Sequence, residues 1–363
     1  MPGTRRFLSF VVLAGLAACS GKRAATVTFG AAGPWGQSYG EANRKGIQLA
    51  ADEINASPAW SGRHLQILFA DDSGDGMHAS TVAQHFVDSD SIVAVIGHVT
   101  SGAMVSAARI YDGHLAAIAT TATSPELTGI SPWTFRVIPS DSANGITIAQ
   151  FANNRGRKRA AVLYENNPYG RGLADNFRRS FAGQIISFDP VAEGDQDFEA
   201  YVSWFKRERP DLVFVAGTDA SGLAFVREAR KQGLQSDLLG GDGWQTMASD
   251  PAADGVYVGA PFSAQDTRPE VRAFVAAYRK KFSALPDGNA ALAYDATKLL
   301  AVAVEKVGTD RGKIRDYLAG LNALTAYHGV TGTIRFHPDG DPIGKNFVIT
   351  RVAHGALQVE AGQ

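Results

Sequence analysis

The feature that most constrains the fold is a repeated alternation of strand and helix patterns. The run Ile92–Ile96 is wholly apolar, which is typical of a strand buried on both faces of a parallel sheet. Amphipathic helical patterns at residues 77–88 and 101–111 flank this run. Because neighbouring parallel strands need a long crossover between them, the alternation predicts βαβ units in an α/β fold.

Two series of these units follow one another along the chain. The first ends with a strand at residues 115–119, and the rhythm restarts after Asp141 and continues to a strand near Val256. We therefore predict two Rossmann-like parallel-sheet lobes joined by a hinge, with chain crossings near Asp141, Ala264 and Gly332. The predicted N-terminal lobe is residues 26–140 and 265–331, and the predicted C-terminal lobe is residues 141–264 and 332–363.

The N-terminus has the parts of an export signal. Arg5 and Arg6 precede an apolar stretch that is too short to span a bilayer as a stable helix, so residues 1–18 are predicted to be removed. The end of this segment, Leu16-Ala17-Ala18-Cys19, resembles the lipobox of bacterial lipoproteins. Cys19 is the only cysteine and cannot form an internal disulfide. We predict a lipid on Cys19 and a tether over residues 19–25; the alternative is an ordinary secreted protein.

Composition and motifs argue against several function classes. The chain has 35 Lys and Arg residues against 36 Asp and Glu residues, without a basic stripe for a nucleic-acid partner. It has no Gly-x-Ser-x-Gly elbow, zinc motif or glycine-rich phosphate loop. Residues 71–76 half resemble a calcium loop, but Val82 stands where a glutamate ligand is needed. We expect no catalysis, no metal and no cofactor.

Polar residues collect in the loops that follow the predicted strands. Ligands of open parallel sheets bind beyond the carboxyl ends of the strands, and a helix N-terminus there suits a carboxylate. Hydroxyl groups on one lobe and Asp242 on the other would suit a zwitterion. Helix capping is the alternative for Ser101, Thr121 and Thr123.

An ordered set of short motifs then carries a family resemblance over nearly the whole chain after the signal. Together these motifs resemble the branched-chain amino acid (Leu/Ile/Val) family of periplasmic binding proteins, which implies the type I fold. The motifs are Gly33-Pro34, residues 46–55, Asp71-Asp72, residues 95–98 with Ser101-Gly102, residues 124–128, Phe135-Arg136, residues 169–174, Asp197-Phe198, Pro210-Asp211, residues 241–243, residues 293–296 and residues 329–332.

The resemblance implies a role for each matching position. Ser101 matches a serine that contacts the ligand carboxylate, and Thr121 and Thr123 match a pair that binds carboxylate and ammonium. Asp242 matches the acid that pairs with the ammonium. The matching aromatic residues are Tyr169, which closes over the ligand, and Tyr39, which covers its side-chain end or is a surface or core aromatic.

Some positions depart from the family pattern. Leucine-binding members carry an aromatic where this chain has Thr218, with Asp219 beside it, and this puts an all-apolar side-chain pocket in doubt. Trp244 either replaces the missing aromatic surface or packs beneath its loop. The usual family disulfide would join Gly74 and Thr100 and is absent. Because the fold does not determine the ligand, amides, urea and aromatic acids remain alternatives.

The resemblance implies capture of an amino acid or related small molecule by lobe closure. The expected partners are this ligand, the permease of an ABC importer, and a membrane reached through the lipid on Cys19, with an extracytoplasmic location. A sensor that docks a signalling receptor is the alternative, which neighbouring genes would distinguish.

Overall fold

The computed structural model describes residues 24–360 as two α/β lobes, each built on its own sheet. This confirms the predicted fold class. The predicted signal at residues 1–18 and Cys19 lie outside the described residues. Within the described range, no helix has the length and apolar character needed to span a membrane.

The first lobe has a five-stranded sheet in the order β2-β1-β3-β4-β5, and all its neighbouring strands are parallel. Strand β3 is buried throughout, as its apolar sequence predicts. Helices from two distant parts of the chain cover the sheet. The strands are β1 (Ala25–Gly33), β2 (Arg63–Asp71), β3 (Ile92–Ile96), β4 (Ala117–Ala119) and β5 (Thr134–Arg136), and the helices are α1 (Ser38–Ala56), α2 (Gly76–Asp88), α3 (Ser101–Tyr111), α8 (Pro269–Phe282), α9 (Gly288–Val307) and α10 (Arg311–Ala319).

The core of the first lobe joins its early helix α1 to the late helix α9. Ile47 and Ile54 of α1 are buried in one cluster with Leu292 and Leu299 of α9. Gly46 permits this close approach, since a Cβ atom there would lie 2.1 Å from the Ala290 carbonyl oxygen.

The second lobe has a seven-stranded sheet in the order β14-β13-β10-β9-β8-β6-β7. Its first five strands in the chain are parallel, and β13 and β14 form an antiparallel hairpin at one edge. Helices α4 and α5 cover one face and α6 and α7 the other. The elements are α4 (Asp141–Asn154), β6 (Arg159–Glu165), α5 (Pro168–Ser180), β7 (Gln184–Val191), α6 (Glu199–Glu208), β8 (Leu212–Ala216), α7 (Asp219–Gln232), β9 (Asp237–Gly240), β10 (Tyr257–Ala260), β13 (Val348–Ala353) and β14 (Ala356–Val359).

The segment between the last helix and β13 stays with the first lobe. Its first part forms a small hairpin of β11 (Tyr327–Gly329) and β12 (Gly332–Ile334). Phe336 and Phe347 are buried in the first lobe's core, and the Phe336 ring lies 4.9 Å from that of Phe135. We therefore propose that the third crossing follows Phe347 and that the boundary drawn at Gly332 lies too early.

Candidate ligand-binding site

A cavity of about 80 Å³ lies between the lobes, at the carboxyl ends of their parallel strands. Residues of both lobes line it. The wall includes six of the residues predicted from the sequence, which are Ser101, Thr121, Tyr39, Tyr169, Thr218 and Asp242. Thr123, Asp219 and Trp244 are not on the wall. The remaining lining residues are Gly74, Val99, Thr100, Gly102, Asn167, Glu193, Gly243 and Asn289.

Ser101 presents a hydrogen-bond donor to the cavity. It is the first residue of α3, and Thr100 caps that helix. The Ser101 Oγ atom accepts hydrogen bonds from the backbone N–H groups of Thr123 and Ser124, both at 3.1 Å. Since these bonds occupy both lone pairs, the hydroxyl group can add only its proton. A donor beside the unpaired N–H groups of a helix's first turn suits a carboxylate.

Thr121 presents the opposite polarity. Its hydroxyl group donates a hydrogen bond to the Val99 carbonyl oxygen at 3.0 Å. The proton is therefore committed within the first lobe, and only lone pairs remain for a ligand. Such an acceptor suits an ammonium group.

Asp242 faces these two residues from the second lobe, in the loop after β9. Its Oδ1 atom accepts hydrogen bonds from Asn144 Nδ2 at 2.9 Å and from the Tyr169 hydroxyl at 3.1 Å. The Tyr169 hydroxyl in turn accepts one from the Gly243 N–H at 3.0 Å. Among the described residues, both side-chain partners of Asp242 thus bond to Oδ1, and Oδ2 can accept from a ligand.

The ionisation of Asp242 responds to its burial. Only 5% of the residue is exposed, and this burial raises the pKa of its carboxyl group to about 7, although its hydrogen bonds oppose the shift. An ammonium group next to the carboxylate would favour the charged form. A cationic group of the ligand at this position would therefore stabilise the ionised form of Asp242.

Thr123 is buried and does not reach the cavity. Its side chain lies beside the carboxyl group of Asp141. Burial, and then the charge of Asp242, raises the pKa of Asp141 well above its ordinary value. Thr123 acts through its backbone, because its N–H group is one of the two that orient Ser101.

Arg136 supports the loop that contains Thr123 and Ser124. The sequence indicated this residue only as part of the Phe135-Arg136 motif. Its guanidinium group donates to the carbonyl oxygens of Thr123 and Ser124 at 3.0 and 2.9 Å. It also forms a bidentate ion pair with Asp341, with distances of 2.6 Å from Nε to Oδ1 and 2.7 Å from Nη2 to Oδ2. Arg136 is thus a positioning residue for the loop that orients Ser101.

Asp219 connects the two lobes at the rim of the cavity. It is the first residue of α7, and it accepts hydrogen bonds from the Ser38 hydroxyl of the first lobe and from Thr246 Oγ1 at 2.5 Å. A second contact joins the Gly288 N–H group to Gln245 Oε1 at 3.0 Å. These contacts join the two lobes.

Trp244 packs beneath its loop and supplies no surface to the cavity. It is fully buried in the second lobe's core. Two glycines make room for its ring, since a Cβ atom at Gly222 or Gly240 would lie 2.2 or 2.0 Å from the indole. Of the two alternatives for Trp244, the structure shows packing.

Glu193, Asn167 and Asn289 line the cavity but were not among the predicted site residues. Asn167 could have been found, because it follows β6 and caps α5, two residues before Tyr169. Glu193 follows the edge strand β7, and Asn289 comes from the distant helix α9, so neither position has a sequence signal. Residues 24–360 contain no group of three or more His, Cys, Asp or Glu side chains that could hold a metal.

Comparison with known proteins identifies the family of the chain. Residues 27–356 match the family described as "Periplasmic binding protein". A leucine-, isoleucine-, valine-, threonine- and alanine-binding protein of Pseudomonas aeruginosa is 30% identical over 360 residues, covering 95% of this chain and 94% of that protein.

Two solved structures of substrate-binding proteins are similar to this chain in fold and sequence. The branched-chain amino acid transporter substrate-binding protein LivJ of Streptococcus pneumoniae, in complex with isoleucine, has a TM-score of 0.85 at 29% identity, covering 92% of this chain and 98% of that one. An ABC transporter substrate-binding protein of Desulfitobacterium hafniense, in complex with Leu, has a TM-score of 0.80 at 31% identity, covering 92% and 100%. The resemblance seen in the sequence is confirmed, as is the non-enzymatic class. The chain belongs to the periplasmic binding protein family, among the substrate-binding proteins of the branched-chain amino acid ABC transporter type.

Proposed function

We propose that this protein captures an α-amino acid between its lobes and delivers it to an ABC importer. One observation carries the proposal: a donor at Ser101 and acceptors at Thr121 and Asp242 face one cavity. A zwitterion has a carboxylate and an ammonium group one carbon apart, and it needs this pair of opposite polarities. The ABC-transporter relatives favour transport over the alternative of a sensor.

Closure of the hinge would assemble the site. Ser101 and Thr121 belong to the first lobe, whereas Asp242 and Tyr169 belong to the second. Closure removes water from the cavity and so strengthens each polar contact. Because it also buries the Asp242 carboxylate, a ligand ammonium group would favour the closed state over the open one. The ligand shifts this equilibrium only by its difference in affinity for the two states.

Thermal unfolding with a panel of ligands tests the proposal. The purified protein is unfolded and refolded to remove bound solute, and then mixed with α-amino acids, their des-amino analogues, amides or aromatic acids. We expect α-amino acids to stabilise it, by about 2.7 kcal/mol at one hundred times their dissociation constant. Stabilisation by amides or aromatic acids alone would contradict the zwitterion site and leave the binding mechanism intact.

We also propose that a lipid on Cys19 tethers the protein to a membrane, on the support of the Leu16-Ala17-Ala18-Cys19 sequence. Acyl chains would hold an otherwise water-exposed body at the bilayer surface. The Cys19→Ala variant should leave the membrane fraction of cells that express it, and its ligand affinity should be unchanged. Equal membrane association of both proteins would contradict lipid attachment at Cys19.

A further inference from the structure

A second group of acidic side chains lies around Tyr39, and one of its members, Glu193, is on the cavity wall. We define this distal acidic group as Asp72, Asp75, Glu165, Glu193 and Asp219. Burial raises the pKa of the Tyr39 hydroxyl, and the charges of Glu193, Asp219, Glu165 and Asp72 raise it further. Partial burial, followed by the charges of Glu165 and Asp75, in turn raises the pKa of Glu193. Asp242 bonds to Asn144 and Tyr169, whereas Glu193 bonds to Asn167 and Glu165 to Thr218, so the two acidic positions have separate partners.

No lysine or arginine of residues 24–360 forms an ion pair with the distal acidic group. Asp72 and Asp75 contact His98 and His78, at 2.6 and 3.4 Å. The other three members bond to hydroxyl, amide and backbone N–H groups. The described cavity wall likewise includes no lysine or arginine. Glu165 is fully buried without a cation among the described residues, and because such burial of a carboxylate is costly, a ligand cation nearby would offset that cost.

The hydrogen-bond directions strengthen this pattern. Thr218, where leucine-binding relatives carry an aromatic, donates its hydroxyl proton to Glu165 Oε1 at 2.8 Å. The Thr218 oxygen can therefore only accept from a ligand. Asn167 donates from Nδ2 to Glu193 at 2.9 Å, and its Oδ1 atom accepts from the Gly170 N–H at 2.9 Å. This side of the cavity thus offers acceptors and negative charge to a ligand side chain.

We infer that the ligand is a basic α-amino acid whose side-chain cation lies between Glu193 and Thr218; this inference rests on the proposed function. Val99 and the Tyr39 ring on the same wall can contact the aliphatic part of such a side chain. The Tyr39 ring can also attract the cation through its π face.

Calorimetry on the refolded protein tests the inference with lysine, ornithine, arginine, glutamine and leucine. At least one of the three basic amino acids should bind about tenfold more tightly than leucine and glutamine, a difference of about 1.4 kcal/mol. Glu193→Gln should remove most of this preference, which is measured as the ratio of the affinity for a basic amino acid to that for leucine. Thr218→Val, which keeps the shape but removes the acceptor, should reduce the same preference. Glu305→Gln, an exposed position on α9, is the matched control and should alter neither affinity.

The outcomes distinguish a failure of this inference from a failure of the proposed function. If leucine binds as tightly as every basic amino acid, or if the preference survives both Glu193→Gln and Thr218→Val, the inference is wrong and the proposed function stands. If no α-amino acid binds, the proposed function itself fails. Because the readout is a ratio of two affinities in one folded protein, a partly unfolded sample of either variant does not imitate the expected result.

Discussion

Asp242→Asn should weaken the binding of an α-amino acid by about a hundredfold or more, which corresponds to about 2.7 kcal/mol. The amide retains an Oδ1 acceptor for Asn144 and Tyr169, so the substitution removes the charge and keeps the local hydrogen bonds. Removal of one member of a buried, hydrogen-bonded charge pair costs about 2–5 kcal/mol. The fold of the ligand-free protein should remain intact, because no bound ammonium group then depends on the carboxylate.

Calorimetry with an amino acid and its des-amino analogue measures this effect as a double-mutant cycle. The analogue should bind the wild type and the variant with similar, low affinity. Asp90→Asn, at an exposed position, is the control for a general change in charge. A variant that binds the amino acid as the wild type does would refute the role assigned to Asp242.

The same variant separates two opposite pH effects. Because burial raises the pKa of Asp242 to about 7, the ligand-free folded chain retains a proton there that the unfolded chain loses near pH 4. This group therefore contributes more stability at pH 5 than at pH 8, and the contribution is lost as the pH rises towards 7. Ligand affinity should show the reverse and fall as the pH drops below 7, since the ammonium group needs the carboxylate. In Asp242→Asn, both contributions of this group should disappear.

Arg136→Ala should destabilise the protein by about 3–5 kcal/mol, the range for breaking a buried ion pair. The residue is 2% exposed and its loss leaves Asp341 and the carbonyl oxygens of Thr123 and Ser124 without their donor. Ligand affinity should also fall, because the same loop supplies the two N–H groups that orient Ser101.

Chemical denaturation measures the loss of stability from Arg136→Ala. Arg227→Ala is the control, since its pair with Asp250 is largely exposed on the arginine side and should contribute at most about 1 kcal/mol. The double variant Arg136→Ala with Asp341→Ala should recover part of the loss, as no carboxylate is then left unpaired. A loss for Arg136→Ala no larger than that of Arg227→Ala would contradict the buried ion pair.

The sequence predicts most of the fold because long periodic segments carry its signal. The apolar run of β3 and the helix–strand rhythm on either side are sufficient to predict parallel sheets. Strand β5 was missed, since the three residues Thr134–Arg136 are too few to show a period. The sequence pattern predicts the C-terminal lobe for Phe336 and Phe347, whereas our proposed boundary leaves them in the first lobe. Their position depends on packing with residues such as Phe135, which local sequence does not show.

The candidate site was predictable in position but less so in detail. Ser101, Thr121 and Asp242 follow strand ends, and the general rule for parallel sheets brings such residues together. Whether a hydroxyl donates or accepts depends on its tertiary partners, as the opposite polarities of Ser101 and Thr121 show. Thr123 has the same local sequence signal as Thr121 and yet lies beside Asp141 in the interior.

The packing of α9 against α1 has a consequence for the order in which the lobes can fold. The five parallel strands of the second lobe and their covering helices come from one continuous stretch, and only an edge hairpin is added later. In the first lobe, Ile47 is buried in the same cluster as Leu299, which comes after the whole of that stretch in the chain. This part of the core therefore cannot form until Leu299 is available. Such distant contacts slow folding and leave apolar surface uncovered in the meantime. A chain whose N-terminus emerges first can therefore form the core of its second lobe before it completes the core of the first.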